Sequence, residues 1–215
     1  MSDNLENYRK SYDKNALLRA NLDENPMQQF RKWFVEVDEA GNVDEANAMT
    51  LSTLGTDGFP KSRVVLLKSY NENGFVFYTN YNSEKGQSMI LNPKVCISFF
   101  WPSAERQIII KGVTEKISKE DSERYFNSRP KGSKLGAIVS PQSQEIENRE
   151  VLEKRLKQLE KEYENKEVEK PEDWGGFSVV PHSFEFWQGR PNRLHDRFLF
   201  EKTNDYDWNI KRLAP

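Results

Sequence analysis

The feature that most constrains this chain is a run of short strand-like segments between residues 48 and 117. Residues 48–54 alternate in polarity, Thr56-Asp57-Gly58 marks a turn, and 62–67 follows as a β-favouring apolar run. Asn71-Glu72-Asn73-Gly74 is a second hairpin signal leading into 75–79. A short helix is expected over 84–91, stopping before Asn92-Pro93, and longer strands over 94–100 and 107–117. Parallel strands need a long crossover between them, usually a helix. No regular strand–helix alternation exists here, so a doubly wound sheet is excluded. The segment must pair antiparallel, as a barrel or sandwich, in a fold that is mainly β with peripheral helices.

Before this region, residues 1–23 are polar and weakly periodic, which predicts a mobile arm. Residues 24–215 then read as one domain. Asn25-Pro26 opens a helix whose apolar positions are Met27, Phe30, Phe34 and Val37, and Gly41 lies just past its end. Ser118 caps a further helix that ends near 127–129, because Pro130 pushes the residue before it out of the helical region. A long charged helix is expected over 144–164, with the stripe Leu152, Leu156, Leu159 and Tyr163. After Pro171 and Gly175-Gly176 the last strands are expected at 177–180, 184–187, 197–202 and 208–213.

Composition narrows the class. The 32 Lys and Arg against 34 Asp and Glu leave a formal charge of −2, which argues against a nucleic-acid partner. One cysteine excludes an intrachain disulfide and any multi-cysteine zinc site, and two histidines make a His-rich metal centre untenable. No segment approaches the ~18 apolar residues of a membrane span. The start MSDNLENYRK has no apolar stretch of a secretory signal, so a cytoplasmic location is expected.

Within that frame, cations recur beside turns and element ends: Arg63, Lys68, Lys85, Arg129, Arg193 and Arg197. Such groups suit phosphate, although each alone also reads as a solvated edge charge. Arg63 and Lys68 bracket Val64-Val65-Leu66-Leu67. On a regular strand they face opposite ways, so they serve two ligands unless a bulge intervenes. Tyr125 and Arg129 share a helix face, with Ser133 in the loop beyond. They could form a phosphate cup, working against the helix dipole, or simply an aromatic anchor and a C-terminal dipole partner. The densest stretch runs from Phe184 to Arg197 and includes Trp187, Gln188, Arg190, Arg193 and His195 around a Gly-Pro loop. Aromatic and cationic groups converging on a loop suit a flat anionic ligand, with His195 as acid/base or hydrogen-bond donor. His182 and Cys96 read as structural.

These residues carry a resemblance. Phe184-Glu-Phe-Trp-Gln188 followed by Arg193-Leu-His-Asp-Arg197 resembles the signature of the pyridoxamine 5′-phosphate oxidase family. Further similarity lies in Arg63-Val-Val-Leu-Leu-Lys68, Phe77-Tyr-Thr-Asn80, Glu105-Arg-Gln107, Tyr125-Phe-x-Ser-Arg-Pro130, Gln142-Ser143, Trp174-Gly-Gly176 and the ending Arg212-Leu-Ala-Pro215. The motifs occur in family order over residues 26–215.

The resemblance implies an FMN-binding split β-barrel acting as a homodimer, with FMN at the subunit interface. The implied reaction oxidises pyridoxamine or pyridoxine 5′-phosphate to pyridoxal 5′-phosphate, the step of vitamin B6 salvage. Hydride passes from substrate C4′ to flavin N5, and O2 reoxidises the flavin to give H2O2, with ammonia released from the amine. It also implies roles for residues. FMN would be held by Arg63 and Lys85 at its phosphate, and by Val64, Val65, Leu66, Leu67 and Lys68 along the chain. Tyr78, Thr79, Gln107, Gln142, Ser143, Trp187 and Arg197 would complete that site. The substrate phosphate would meet Lys68, Tyr125, Arg129 and Ser133. Arg193 and His195 would act over the pyridine ring, and Arg9 and Tyr12 would close over it. Glu84 departs from the basic pair usual after Ser83 in relatives, and is expected to point away from the phosphate. Two rivals stand beside this reading: another oxidoreductase of the same barrel, and a non-catalytic carrier of flavin or pyridoxal phosphate.

Overall fold

A computed structural model of the chain describes residues 4–204 and 207–215; positions 1–3 of the expected arm lie outside the described residues. Its nine strands run in the order β2-β1-β5-β6-β7-β4-β3, with β8 beside β7 and β9 beside β8. They are β1 (Ala48–Leu54), β2 (Pro60–Leu66), β3 (Ser69–Asn71), β4 (Gly74–Asn80), β5 (Lys94–Trp101), β6 (Arg106–Lys116), β7 (Trp174–Gln188), β8 (Asp196–Lys202) and β9 (Trp208–Leu213). The helices are α1 (Pro26–Glu39), α2 (Glu84–Leu91), α3 (Lys119–Ser128), α4 (Lys131–Val139) and α5 (Arg149–Glu162). The expected mainly-β class with peripheral helices is what the chain adopts. Among the described residues no helix is long and apolar enough to cross a membrane.

The chain divides into two compact units. The first comprises Met1–Thr50, Cys96–Lys111 and Pro181–Pro215. Here Asn25 caps α1 by accepting the N–H groups of Met27 and Gln28, and α1 buries Phe30 and Trp33. Phe30 meets Phe99 at 5.1 Å between ring centroids, and Trp33 stands edge-on to Phe186 at 5.4 Å. β7 pairs antiparallel with β8 from Ser183 to Gln188, and β8 with β9.

The second unit comprises Leu51–Val95 and Gly112–Val180. β4 lies antiparallel to β3 and to residues 174–179 of β7. Phe75, Phe77, Phe177 and Val179 fill its sheet core, while Phe126, Leu135, Leu159, Val168 and Trp174 bury the inner faces of α3, α4 and α5.

Three local expectations need correction. Ser133 does not lie in a loop but on α4, which begins directly after Pro130. Lys131-Gly-Ser-Lys-Leu-Gly136 has weak helix propensity, and burial of Leu135 against α5 overrides it. The charged helix starts at Arg149 and not near 144, because Asn148 caps it by accepting the Val151 N–H. The strands expected at 177–180 and 184–187 are one strand. Pro181 falls between the β4 register and the β8 register, so neither of these two strands requires its missing N–H.

Phe99→Ala should empty the centre of the first unit's aromatic cluster and lower stability by about 3–5 kcal/mol. Chemical denaturation reads this directly; an unchanged midpoint would show that this cluster is not the core.

Candidate anion-binding site

A cavity of about 740 Å³ opens in the second unit. One wall is the end of β2 with Val64, Val65 and Leu66, and then Lys68. Val64 is 66% exposed, so the strand presents main chain and a bare apolar rim to the opening. β4 supplies Tyr78 and Thr79 opposite. The first turn of α2 brings in Lys85, because Ser83 caps that helix through the Gly86 N–H. A Cβ on Gly86 would sit 2.4 Å from the Tyr81 carbonyl oxygen, so only glycine lets α2 approach this closely. The Lys85 ammonium donates to Thr79 Oγ1 and Ser83 Oγ, each at 3.3 Å. Thr79 in turn donates to Gln142 Oε1 at 3.1 Å.

The electrostatics of this wall would favour an anion. Burial pushes the Lys85 pKa down, and the nearby Arg63 charge pushes it further, against a smaller opposing pull from Glu84. Arg63 is likewise disfavoured by burial. Its guanidinium donates to the Leu51 carbonyl and Thr53 Oγ1 and is not part of the cavity lining, whereas Lys68 is. Glu84 is paired with Lys61, and its side chain is absent from the lining, as expected for a carboxylate beside a phosphate site.

The opposite wall is the junction of α3 and α4. Tyr125, Arg129 and Ser133 all line the cavity. Tyr78 and Tyr125 stack at 3.9 Å between centroids, and both lie nearly parallel to Trp174. The Arg129 guanidinium lies over the Trp174 ring at 4.8 Å. Its Nη1 is buried without a hydrogen-bond partner, and burial is the main cause that lowers its pKa. A buried, unpartnered guanidinium N–H is a vacancy for an acceptor oxygen. The dipole objection also weakens, because Ser133 lies in the first turn of α4, at the positive end of that helix, although its own N–H donates to the Pro130 carbonyl at 2.9 Å. Trp174 is the site residue that residue-type reasoning left without a role. Its signal was the adjoining Gly175-Gly176: a Cβ on Gly176 would sit 3.0 Å from the Tyr78 ring, which marks close packing inside a strand.

The first unit gathers a second group. His195 lies 4.7 Å from Trp187 between ring centroids, and Tyr12 lies edge-on to Trp187 at 5.7 Å and 5.9 Å from His195. The Arg190 N–H donates to His195 Nδ1 at 3.1 Å. An N–H can only donate, so the proton of the neutral ring sits on Nε2, which is left as a donor. Burial, then the Arg193 charge, lowers the His195 pKa, with Asp196 opposing. Asn192 and Arg193 both have positive φ, 57° and 63°, a costly conformation for consecutive side-chain-bearing residues. Arg197 is held by Glu185 and by the Ala214 carbonyl. Arg9 is exposed, and its Nε donates to the Glu6 carbonyl. Gln107 is half-buried on β6; Leu67 and Ser143 stand outside the second unit's cavity lining.

Residues 36–163 match a family described as pyridoxamine 5′-phosphate oxidase, and residues 174–215 match one described as the pyridoxine 5′-phosphate oxidase C-terminal dimerisation region. A pyridoxine/pyridoxamine 5′-phosphate oxidase of Flavobacterium johnsoniae is 59% identical over 98% of each chain. Its counterpart from Christiangramia forsetii is 55% identical over the whole of both. Among solved structures, PhzG from Burkholderia lata, in complex with tetrahydrophenazine-1-carboxylic acid, superposes with a TM-score of 0.86 at 25% identity. It covers 96% of this chain and 100% of PhzG. A pyridoxamine 5′-phosphate oxidase-related, FMN-binding protein from Nostoc punctiforme shares the fold, with a TM-score of 0.70 at 15% identity, over 89% of this chain and 98% of its own.

Two measurements check the site. Arg129→Met should weaken inorganic phosphate binding by about 10- to 100-fold, the worth of a charged hydrogen bond, as read by calorimetry. The His195 ring should titrate below the usual 6.5 in an NMR series. Between that lowered value and the unfolded one, the unfolded chain binds the extra proton. Stability therefore falls as pH drops through the window, and His195→Gln should flatten that part of the curve.

Proposed function

The chain belongs to the pyridoxamine 5′-phosphate oxidase family, and on that premise we propose that it oxidises pyridoxamine and pyridoxine 5′-phosphate to pyridoxal 5′-phosphate with FMN as cofactor. The observation that carries this reading is the pairing of two cation sets on one cavity. Lys85, with Arg63 behind it, stands at α2; Arg129, with its unpartnered Nη1, stands at the α3–α4 junction beside Lys68. Two phosphorylated ligands, a cofactor and a substrate, meet that demand.

The residues present fit FMN. Lys85 would hold its phosphate, with Arg63, which is bonded to Leu51 and Thr53, adding positive charge nearby, and the main chain of 64–67 would run along it. Tyr78, Thr79, Gln142 and Ser143 would complete this part of the site; the resemblance also assigns Gln107, Trp187 and Arg197 to FMN. When bound, FMN supplies a two-electron acceptor for hydride from substrate C4′, which O2 restores with release of H2O2.

The chain's own part is binding, orientation and charge. Lys68, Arg129, Tyr125 and Ser133 grip the substrate phosphate, fixing the ring by its remote end so that its reacting carbon is held in place. His195 holds a proton at Nε2 and can donate it to an oxygen or nitrogen on the ring. Burial, and then the Arg193 charge, favours the neutral imidazole, and the resemblance assigns Arg193 a place over the ring. Arg9 and Tyr12 would cover the bound substrate. A homodimer with FMN at its interface is the assembly this reading requires, in keeping with the dimerisation region matched by residues 174–215.

The test is to incubate the FMN-loaded protein with pyridoxamine 5′-phosphate in air. Aldehyde product with equimolar peroxide is expected; a flavin spectrum without product would favour a carrier. Arg193→Ala should lower turnover by about 100-fold while FMN stays bound, as loss of one preorganised charge does. Wild-type kinetics in that variant would remove Arg193 from the mechanism.

A further inference from the structure

Glu105 is an unusual residue for its place. It closes the turn between β5 and β6 with φ at +54°, a conformation that glycine or asparagine adopts far more readily. Its side chain is 1% exposed, and Oε1 has no hydrogen-bond partner. A buried carboxylate is expensive unless it is paired. A residue that is disfavoured both by its backbone and by its burial is there for what its carboxylate holds.

What it holds is the N-terminal segment. Oε2 accepts the Lys14 N–H at 3.1 Å, and the Lys10 ammonium stands 3.8 Å from Oε1. Lys14 adds a bond from its ammonium to the Ser103 carbonyl in the same turn, at 2.6 Å. Lys10 and Lys14 flank Tyr12, so the carboxylate fixes the chain on both sides of that ring. The Glu105 carbonyl meanwhile accepts the Gly189 N–H at 2.8 Å and Gln188 Nε2 at 3.1 Å, which ties the turn to the end of β7. Gly189 is the floor under Tyr12: a Cβ there would lie 2.8 Å from Tyr12 Cβ and Cγ. Farther along, Leu17 N–H donates to the buried Asp196 at 3.0 Å, and Arg190 reaches the Asn15 carbonyl. The result is Tyr12 seated against Trp187 and His195.

We propose that Glu105 is a positioning residue: its buried carboxylate anchors residues 10–14 so that Tyr12 is seated on Trp187 and His195 before substrate arrives. The consequence for substrate binding rests on the function proposed above; the anchoring itself does not.

The test uses the full-length FMN-loaded protein with Glu105→Gln, which keeps the shape and one acceptor oxygen but loses the charge, and Glu105→Ala. Tryptic cleavage after Lys14 should accelerate about tenfold in both, because cleavage tracks local opening of the segment. The KM for pyridoxamine 5′-phosphate should rise severalfold with kcat within about twofold, the mark of lost binding common to ground and transition states. On a Tyr12→Ala background, Glu105→Gln should add nothing to KM, because the carboxylate acts through that ring. Unchanged cleavage, or KM effects that add independently of Tyr12, would overturn the proposal. If the wild-type protein makes no aldehyde, the oxidase reading fails while the cleavage rates still decide the anchor. Should Glu105→Ala fail to fold, the isosteric Gln variant decides alone.

Discussion

The interaction on which the second unit's site depends is the burial of Arg129 against Trp174. A guanidinium over an aromatic face gains cation–π attraction but loses water, and here one of its N–H groups gains nothing in exchange. Everything around it makes that arrangement tenable. Trp174 is itself held flat by Tyr78 and Tyr125, and these rings can stack because Gly176 leaves space beside Tyr78. The α4 helix then starts at the residue after Pro130, so the local dipole and the cation act in the same sense. The guanidinium and the rings beneath it are therefore arranged by packing alone.

The two cation groups that the proposed function assigns to phosphates use the same device with different supports. Each pairs a helix N-terminus with a cation: α2 with Lys85, α4 with Arg129. At α2 the cation is a compact ammonium bonded to Thr79 and Ser83, with Arg63 repelling it from behind. At α4 it is a planar fork lying on a ring, which sets direction as well as charge. Under the proposed function, a phosphate at the first would relieve crowding between two cations, and one at the second would accept from a buried guanidinium N–H.

Much of this was legible in the sequence, for identifiable reasons. The cap at Ser118 is a short polar residue directly before a helix, and it accepts the Asp121 N–H. The strand parity expected of Arg63 and Lys68 does not apply as read, because β2 ends at Leu66 and Lys68 falls just past it; Lys68 lines the cavity and Arg63 does not. The resemblance supplied the roles, which spacing alone left open. What could not be read was whatever depended on contacts distant in the chain. α4 is a poor helix by propensity, and it exists because Leu135 packs into a cluster with Leu159 and Trp174. Without α4, Ser133 looked like a loop residue and the dipole seemed adverse. Trp174 and Glu105 both sat inside quoted motifs, yet nothing local showed that one supports a guanidinium and the other an N-terminal segment.

The loop before β8 has a consequence of another kind. Asn192 and Arg193 occupy the left-handed region in succession, so the polypeptide stores conformational strain beside His195. Asparagine tolerates this region better than most residues with a side chain, so the strain falls mainly on Arg193. Glycine at 193 would relieve it, but would widen the unfolded ensemble and remove the cation itself, so the shape of the loop and its charge cannot be altered separately there.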